Sequence, residues 1–151
     1  RTTASPFAMQ EIANSLKGTD IPIFVKNPIN PDIELWIGAL ERLAHAGVNR
    51  LAAIHRGFST YGDTTYRNTP IWEIATELRS RIPQLPILCD PSHIGGKSEL
   101  VKPLAEKALC LNYNGFFIET HINPSKALSD SRQQITPEAL HQLLTELNIK
   151  L

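Results

Sequence analysis

A chain of 151 residues with 42% apolar and 20% charged side chains is long enough for one domain and too apolar for disorder. Its 15 basic residues balance 15 acidic ones, which removes any global electrostatic case for nucleic acid or an anionic membrane as partner. No apolar run is long enough to span a bilayer, and the N-terminus lacks a signal-peptide pattern. The two cysteines, Cys89 and Cys110, sit in apolar sequence, as buried thiols of a reduced cytoplasmic protein would, with a disulfide left open. The first residue is Arg1 rather than Met, as in a fragment or a processed chain.

Ser5-Pro6 starts a helix in which Phe7, Ile12 and Leu16 recur and which Lys17-Gly18 ends. Ile21 to Val25 reads as a strand, terminated by Lys26-Asn27-Pro28. Asn30-Pro31-Asp32 opens a second helix with the stripe Leu35, Trp36, Ala39, Leu40 and Leu43, and Gly47 closes it. Leu51 to Ile54 is the next strand, followed by His55-Arg56-Gly57 and a long polar loop from Phe58 to Thr69. A helix then carries Ile71, Ile74, Ala75 and Leu78. Pro86 to Cys89 is a strand enclosed on both faces, and Asp90 to Lys97 reads as a loop. A helix from about 98 to 111 tolerates Pro103 in its first turn. Gly115 to Ile118 is the last strand, and Thr136-Pro137-Glu138 starts a final helix with Leu140, Leu143, Leu144 and Leu147 as core. Strand starts fall roughly 30 residues apart, the size of a βαβ unit, so a parallel sheet with outer helices is expected.

Each apolar strand runs into charge: Lys26, then Arg56, then Asp90 and His93, then Glu119. One such end is an ordinary solvated turn, and Asp-Pro-Ser and Gly-Gly are good turn chemistry. Four in succession fit an α/β enzyme, whose ligands bind where parallel strands end. Surface salt bridges capping the strands are the bland alternative. Lys26 and Arg56, with Arg1, are types that clamp phosphate or carboxylate. His93, Glu119 and Asp130 are types that bind a divalent metal. Arg67, in the long loop, is a candidate substrate contact. His121 is either a supporting residue or a surface one, and His45 and His141 read as surface residues. Trp36 and Trp72 read as packing residues.

The series Arg1-Thr2-Thr3, Phe24-Val25-Lys26-Asn27, His55-Arg56-Gly57, Arg67-Asn68-Thr69, Asp90-Pro91-Ser92-His93, Glu119-Thr120-His121 and Ala127-Leu128-Ser129-Asp130 resembles 3-deoxy-D-arabino-heptulosonate 7-phosphate (DAHP) synthase, Iβ-like class. The resemblance runs the length of the chain in order. It implies a (β/α)8 TIM barrel, of which residues 1–151 are the C-terminal half of one domain. It implies condensation of phosphoenolpyruvate with erythrose 4-phosphate, releasing phosphate, at the first step of the shikimate pathway to aromatic amino acids. By the same resemblance Arg1 and Arg56 hold the phosphate of phosphoenolpyruvate, and Lys26 meets its carboxylate or bridging oxygen. His93, Glu119 and Asp130 become metal ligands for Mn, Fe, Co or Zn, with Lys26 and His93 as the catalytic pair.

The chain lacks the Lys-Pro-Arg-Thr segment that binds the second substrate's phosphate in that family, and the early-strand Cys ligand. His55 stands where many relatives carry a carboxylate. The related 3-deoxy-D-manno-octulosonate 8-phosphate synthase is the alternative enzyme, and a non-catalytic βα fragment binding a phosphorylated metabolite is the alternative outside enzymes. Cys89 is expected to face the helices, because side chains alternate along a strand and Asp90 takes the other side. Four strands leave open edges and an inner face lined by Phe24, Ile54 and Phe117, so a missing N-terminal half or a second copy should cover it. A homo-oligomer is expected, and the isolated chain should bind metal weakly and lack synthase activity.

Overall fold

The computed structural model describes residues 2–62 and 65–149. Four parallel strands lie side by side in chain order: β1 (Ile23–Lys26), β2 (Leu51–His55), β3 (Ile87–Cys89) and β4 (Gly115–Phe116). Between and around them run α1 (Pro6–Ser15), α2 (Ile33–His45), α3 (Trp72–Arg81), α4 (Pro91–Gly95), α5 (Val101–Cys110) and α6 (Pro137–Glu146). Neighbouring strands that are also consecutive in sequence need a crossover helix each, and the alternation in the sequence supplies it. The result is a half barrel with two strand edges.

Local chemistry places the helix starts. Ser5 caps α1 through Ala8 N–H, and Pro6 follows at the first helical position, where its missing donor costs nothing. Asp32 caps α2 by accepting from Glu34 and Leu35 N–H, and Thr136 caps α6 through Ala139 N–H. The apolar stripe of α2 then buries Trp36, Ala39, Leu40 and Leu43 against Val25, Ala53 and Ile87. Trp36 donates its indole N–H to Val25 O, so the largest core side chain is also tied to β1.

Register assigns the two faces of the sheet. Val25, Ala53 and Ile87 are aligned and face the helices, whereas Lys26, Ile54 and Leu88 are aligned on the inner face. Phe24 and Phe117 are about half exposed there, as expected of an uncovered face. Ile54 is not: it is 1% exposed, because its register neighbours Lys26 and Leu88 flank it on the same face.

Three features differ from the sequence reading. Residues expected as a loop after β3 form the short helix α4, capped by Asp90 and started by Pro91. The last strand is two residues long, not four, although a single parallel bridge from Thr120 to Ile135 continues the extended path. Cys110 is exposed at the end of α5 rather than buried, and both cysteines are free. Among the described residues, no helix is long and apolar enough to cross a membrane.

Candidate functional site

The strand ends meet at one rim. Lys26 closes β1, and its ammonium reaches 64 residues along the chain to Asp90 Oδ2 at 3.0 Å. The same ammonium lies 4.8 Å from the centre of the Phe117 ring, so it sits between a carboxylate and an aromatic face. Asp90 is fully buried and caps α4 by accepting His93 N–H at 3.0 Å. Its Oδ2 also lies 2.8 Å from His93 Nδ1, an ion-pair contact that does not count as a full hydrogen bond. Burial by itself would raise the pKa of Asp90. Hydrogen bonding from His93 and the charges of His93 and Lys26 outweigh that and hold the carboxyl below its ordinary value.

His93 lies in α4, and its Nε2 points to Glu119 Oε1 at 3.6 Å. Asp130 completes the group: one donor atom from each of His93, Glu119 and Asp130 lies within 4.8 Å of the others. Ser92 and Gln133 place Glu119. Ser92 Oγ accepts its backbone N–H, and Gln133 Nε2 donates to its Oε2 at 2.7 Å. Asp130 adopts φ 53°, a left-handed conformation that Asp tolerates better than most residues. The Arg67 hydrogen bond to Asp130 Oδ1 at 2.6 Å, helped by the nearby charges of His93 and Arg56, holds that carboxyl below its ordinary value.

Arg67 also bonds Gln133 Oε1 at 2.6 Å, so guanidinium, amide and Glu119 carboxylate form one chain. Arg67 is held against Gly96, where an added Cβ would fall 2.5 Å from Arg67 Cβ. Gly96 has φ +68°, so both its backbone and its neighbour require glycine. Asn27 does the equivalent work at β2. Its buried amide donates to Gly57 O and accepts Arg56 N–H, anchoring the turn from which Arg56 leaves. Asn68 donates to His93 O and ties the long loop to α4.

The structure therefore brings Lys26, Arg56, Arg67, His93, Glu119 and Asp130 to one rim, and Arg1 lies outside the described residues. His121 does not join the cluster; its Nδ1 accepts Asn123 N–H and shapes a surface turn. His45 and His141 are exposed on helices. Cys89 faces the helix-side core, and burial pushes its thiol far above the ordinary range, so it is a packing residue and no ligand. His55 also faces the helices. Its ring is buried among Trp36, Phe58, Trp72 and Tyr113 and is bonded to Tyr113 Oη and Pro70 O.

Asp90, Ser92, Asn27 and Gln133 are the contributors whose roles the sequence did not supply. The polar types directly after each apolar run were a usable signal for the first three; Gln133 had none. One imidazole and two carboxylates suit a first-row divalent cation, so the donor set fits the metal that the resemblance implies. A cation held by His93, Glu119 and Asp130 would supply Lewis-acid polarisation of a carbonyl oxygen or a bound water.

Residues 2–150 match the model of the DAHP synthetase I family. Phospho-2-dehydro-3-deoxyheptonate aldolase of Thermotoga maritima is 34% identical over 126 residues, covering 83% of this chain and 37% of that protein. A 2-dehydro-3-deoxyphosphooctonate aldolase of Wolinella succinogenes is 47% identical, but over 53 residues, 35% of this chain and 20% of that one. A truncated 3-deoxy-D-arabino-heptulosonate 7-phosphate synthase from Thermotoga maritima superposes with a TM-score of 0.83 at 29% identity, covering 98% of this chain and 54% of that structure. A crystal structure of DAHP synthase from Thermotoga maritima gives 0.84 at 29% identity, covering 98% and 42%. This chain thus spans about half or less of the relatives it matches, and it belongs to the DAHP synthetase I family.

Proposed function

We propose that residues 1–151 form the C-terminal half of a single (β/α)8 domain that condenses phosphoenolpyruvate with erythrose 4-phosphate, giving DAHP and phosphate. The observation that carries this reading is the convergence of Lys26, Arg56 and Arg67 with the His93, Glu119 and Asp130 donor set at the carboxyl ends of adjacent parallel strands. Phosphoenolpyruvate carries several negative charges. Guanidinium forks such as those of Arg56 and Arg67 bind its phosphate oxygens in pairs, with Arg1 as a further cation. Lys26, turned to the inner face and held by Asp90, meets the carboxylate or the bridging oxygen. His93, Glu119 and Asp130 hold the divalent metal, one of Mn, Fe, Co or Zn. The buried amides of Asn27 and Gln133 keep this constellation from relaxing, and such positioning is a large part of what an enzyme supplies.

The remaining strands, or another copy in a homo-oligomer, cover the half-exposed Phe24 and Phe117 and provide the second substrate's phosphate site. A cytoplasmic setting belongs to the same reading and accords with two unpaired cysteines. The test is phosphate release by this chain co-expressed with the remaining half. Release that needs both phosphoenolpyruvate and erythrose 4-phosphate supports the reading, and this chain alone should give none. By carbon count an octulosonate enzyme takes a five-carbon aldose phosphate instead, so release with that sugar alone favours the alternative enzyme. Phosphometabolite binding with no release from either sugar makes the fold a binding fragment.

A further inference from the structure

Asp90 is the carboxylate of the rim that offers nothing to solvent. Its Oδ1 accepts the His93 backbone N–H. Its Oδ2 takes the Lys26 ammonium at 3.0 Å and stands 2.8 Å from His93 Nδ1. A carboxylate with an ammonium on the same oxygen is an acceptor only. A protonated ring nitrogen that close is attracted to the carboxylate, whereas a lone pair there would be repelled. Nδ1 is buried, no atom makes a full hydrogen bond to it, and the Asp90 carboxylate is the charged group in ion-pair contact with it. The proton of a neutral His93 therefore belongs on Nδ1, and the lone pair on Nε2, the nitrogen that faces Glu119. Imidazole in that form is the one that ligates a cation, and a carboxylate behind a metal-binding histidine sets its tautomer and orientation.

We propose that Asp90 is a positioning residue: its carboxylate holds His93 with the proton on Nδ1 and Nε2 presented to the cation site, and it orients the Lys26 ammonium through the same oxygen. The cation in this statement rests on the functional reading above; the tautomer does not. The competing role is that of a helix cap for α4 alone. Asn caps helices as well as Asp, so Asp90→Asn keeps the cap and removes the charge.

The experiment uses the complete protein that carries this chain. Long-range 1H–15N spectra of the metal-free protein, recorded where the ring signals report a neutral imidazole, read the His93 tautomer. Visible absorption then follows Co2+ titration. Wild type should show the Nδ1–H form. Asp90→Asn should shift His93 toward Nε2–H and weaken Co2+ binding about 10- to 100-fold, alongside the stability lost with the Lys26 ion pair. An Nε2–H form in wild type overturns the proposal, as does Asp90→Asn with unchanged tautomer and Co2+ affinity. If that variant does not fold, the wild-type tautomer decides alone. Wild type that shows Nδ1–H and binds Co2+ yet releases no phosphate sinks the functional reading and leaves this inference standing.

Discussion

His55 ends β2, and His93 follows β3 within one helical turn, yet the two imidazoles live in opposite environments. His55 is enclosed by aromatic rings on the helix side, with both nitrogens bonded to uncharged oxygens. Burial drives its pKa down to about 4, with the Pro70 carbonyl and Asp90 only partly opposing, so it is neutral in the folded protein. His93 lies between two carboxylates at the rim. Residue type does not separate them; the side of the sheet does. The same parity divides Cys89, packed and inert, from Asp90, which ties Lys26 to His93. One face of this half barrel is built for cohesion and the other for charge, and substitutions should sort accordingly.

The largest expected effect breaks the cohesive face. Trp36→Ala removes a fully buried ring and its bond to Val25 O, and should cost about 3–5 kcal/mol in denaturant unfolding of the complete protein. A loss under roughly 1 kcal/mol would mean that the helix side collapses around the gap.

Acid should act next, through His55. Its folded pKa lies below the ordinary 6.5, so the unfolded chain binds the extra proton as pH falls through the window from 6.5 to about 4. Stability is therefore full above that window and declines across it, by about 3 kcal/mol in total for a single proton. His55→Gln should flatten this limb. Asp90 and Asp130 also lose stabilising charge on acidification, but their depressed values place that loss lower, below the ordinary carboxylate range. An unchanged stability between those limits would show that His55 is not held neutral.

The charged face is sharpened by a pair of variants read with Co2+. His93→Ala should weaken binding by at least about 100-fold with modest loss of stability, because a direct donor is lost. Cys89→Ala should leave binding within error and cost about 1 kcal/mol, the packing of one buried sulfur. The reverse result would overturn the division of the two faces.

Gln133→Ala should cost about 1–3 kcal/mol, because it leaves Arg67 and Glu119 without their buried intermediary. The smallest effect belongs to neither face. Arg81 pairs with Glu34 and Glu77 on the outer surface, and Arg81→Ala should leave the thermal midpoint and Co2+ affinity unchanged within error.

Much of the architecture was written locally. Helix starts are chemical statements made within three or four residues, at Ser5-Pro6, Asp32 and Thr136-Pro137, and the caps formed where those residues stand. Alternation along a strand was enough to turn Cys89 away from Asp90. The charged residues at strand ends were visible because each directly follows an apolar run. Other features depended on distant partners. The sequence around Asp90 permits a turn as readily as a helical turn, and the contacts of α4 with α5 accompany the helical outcome. Pairing of Lys26 with Asp90 spans 64 residues, and that of Arg67 with Gln133 spans 66. Gln133 gave no signal, since a lone glutamine in a polar loop has no period and no motif. Its burial at 1% exposure is set by where the loop from Pro124 to Thr136 lands against Arg67 and Glu119. Residue identity and spacing thus determined the elements, their order and the parity of each strand, because those rest on backbone geometry over a few residues. Which charges meet was decided only by the assembled sheet and loops, because an ion pair is specified by position in space, and the chain between its members does not encode that position locally.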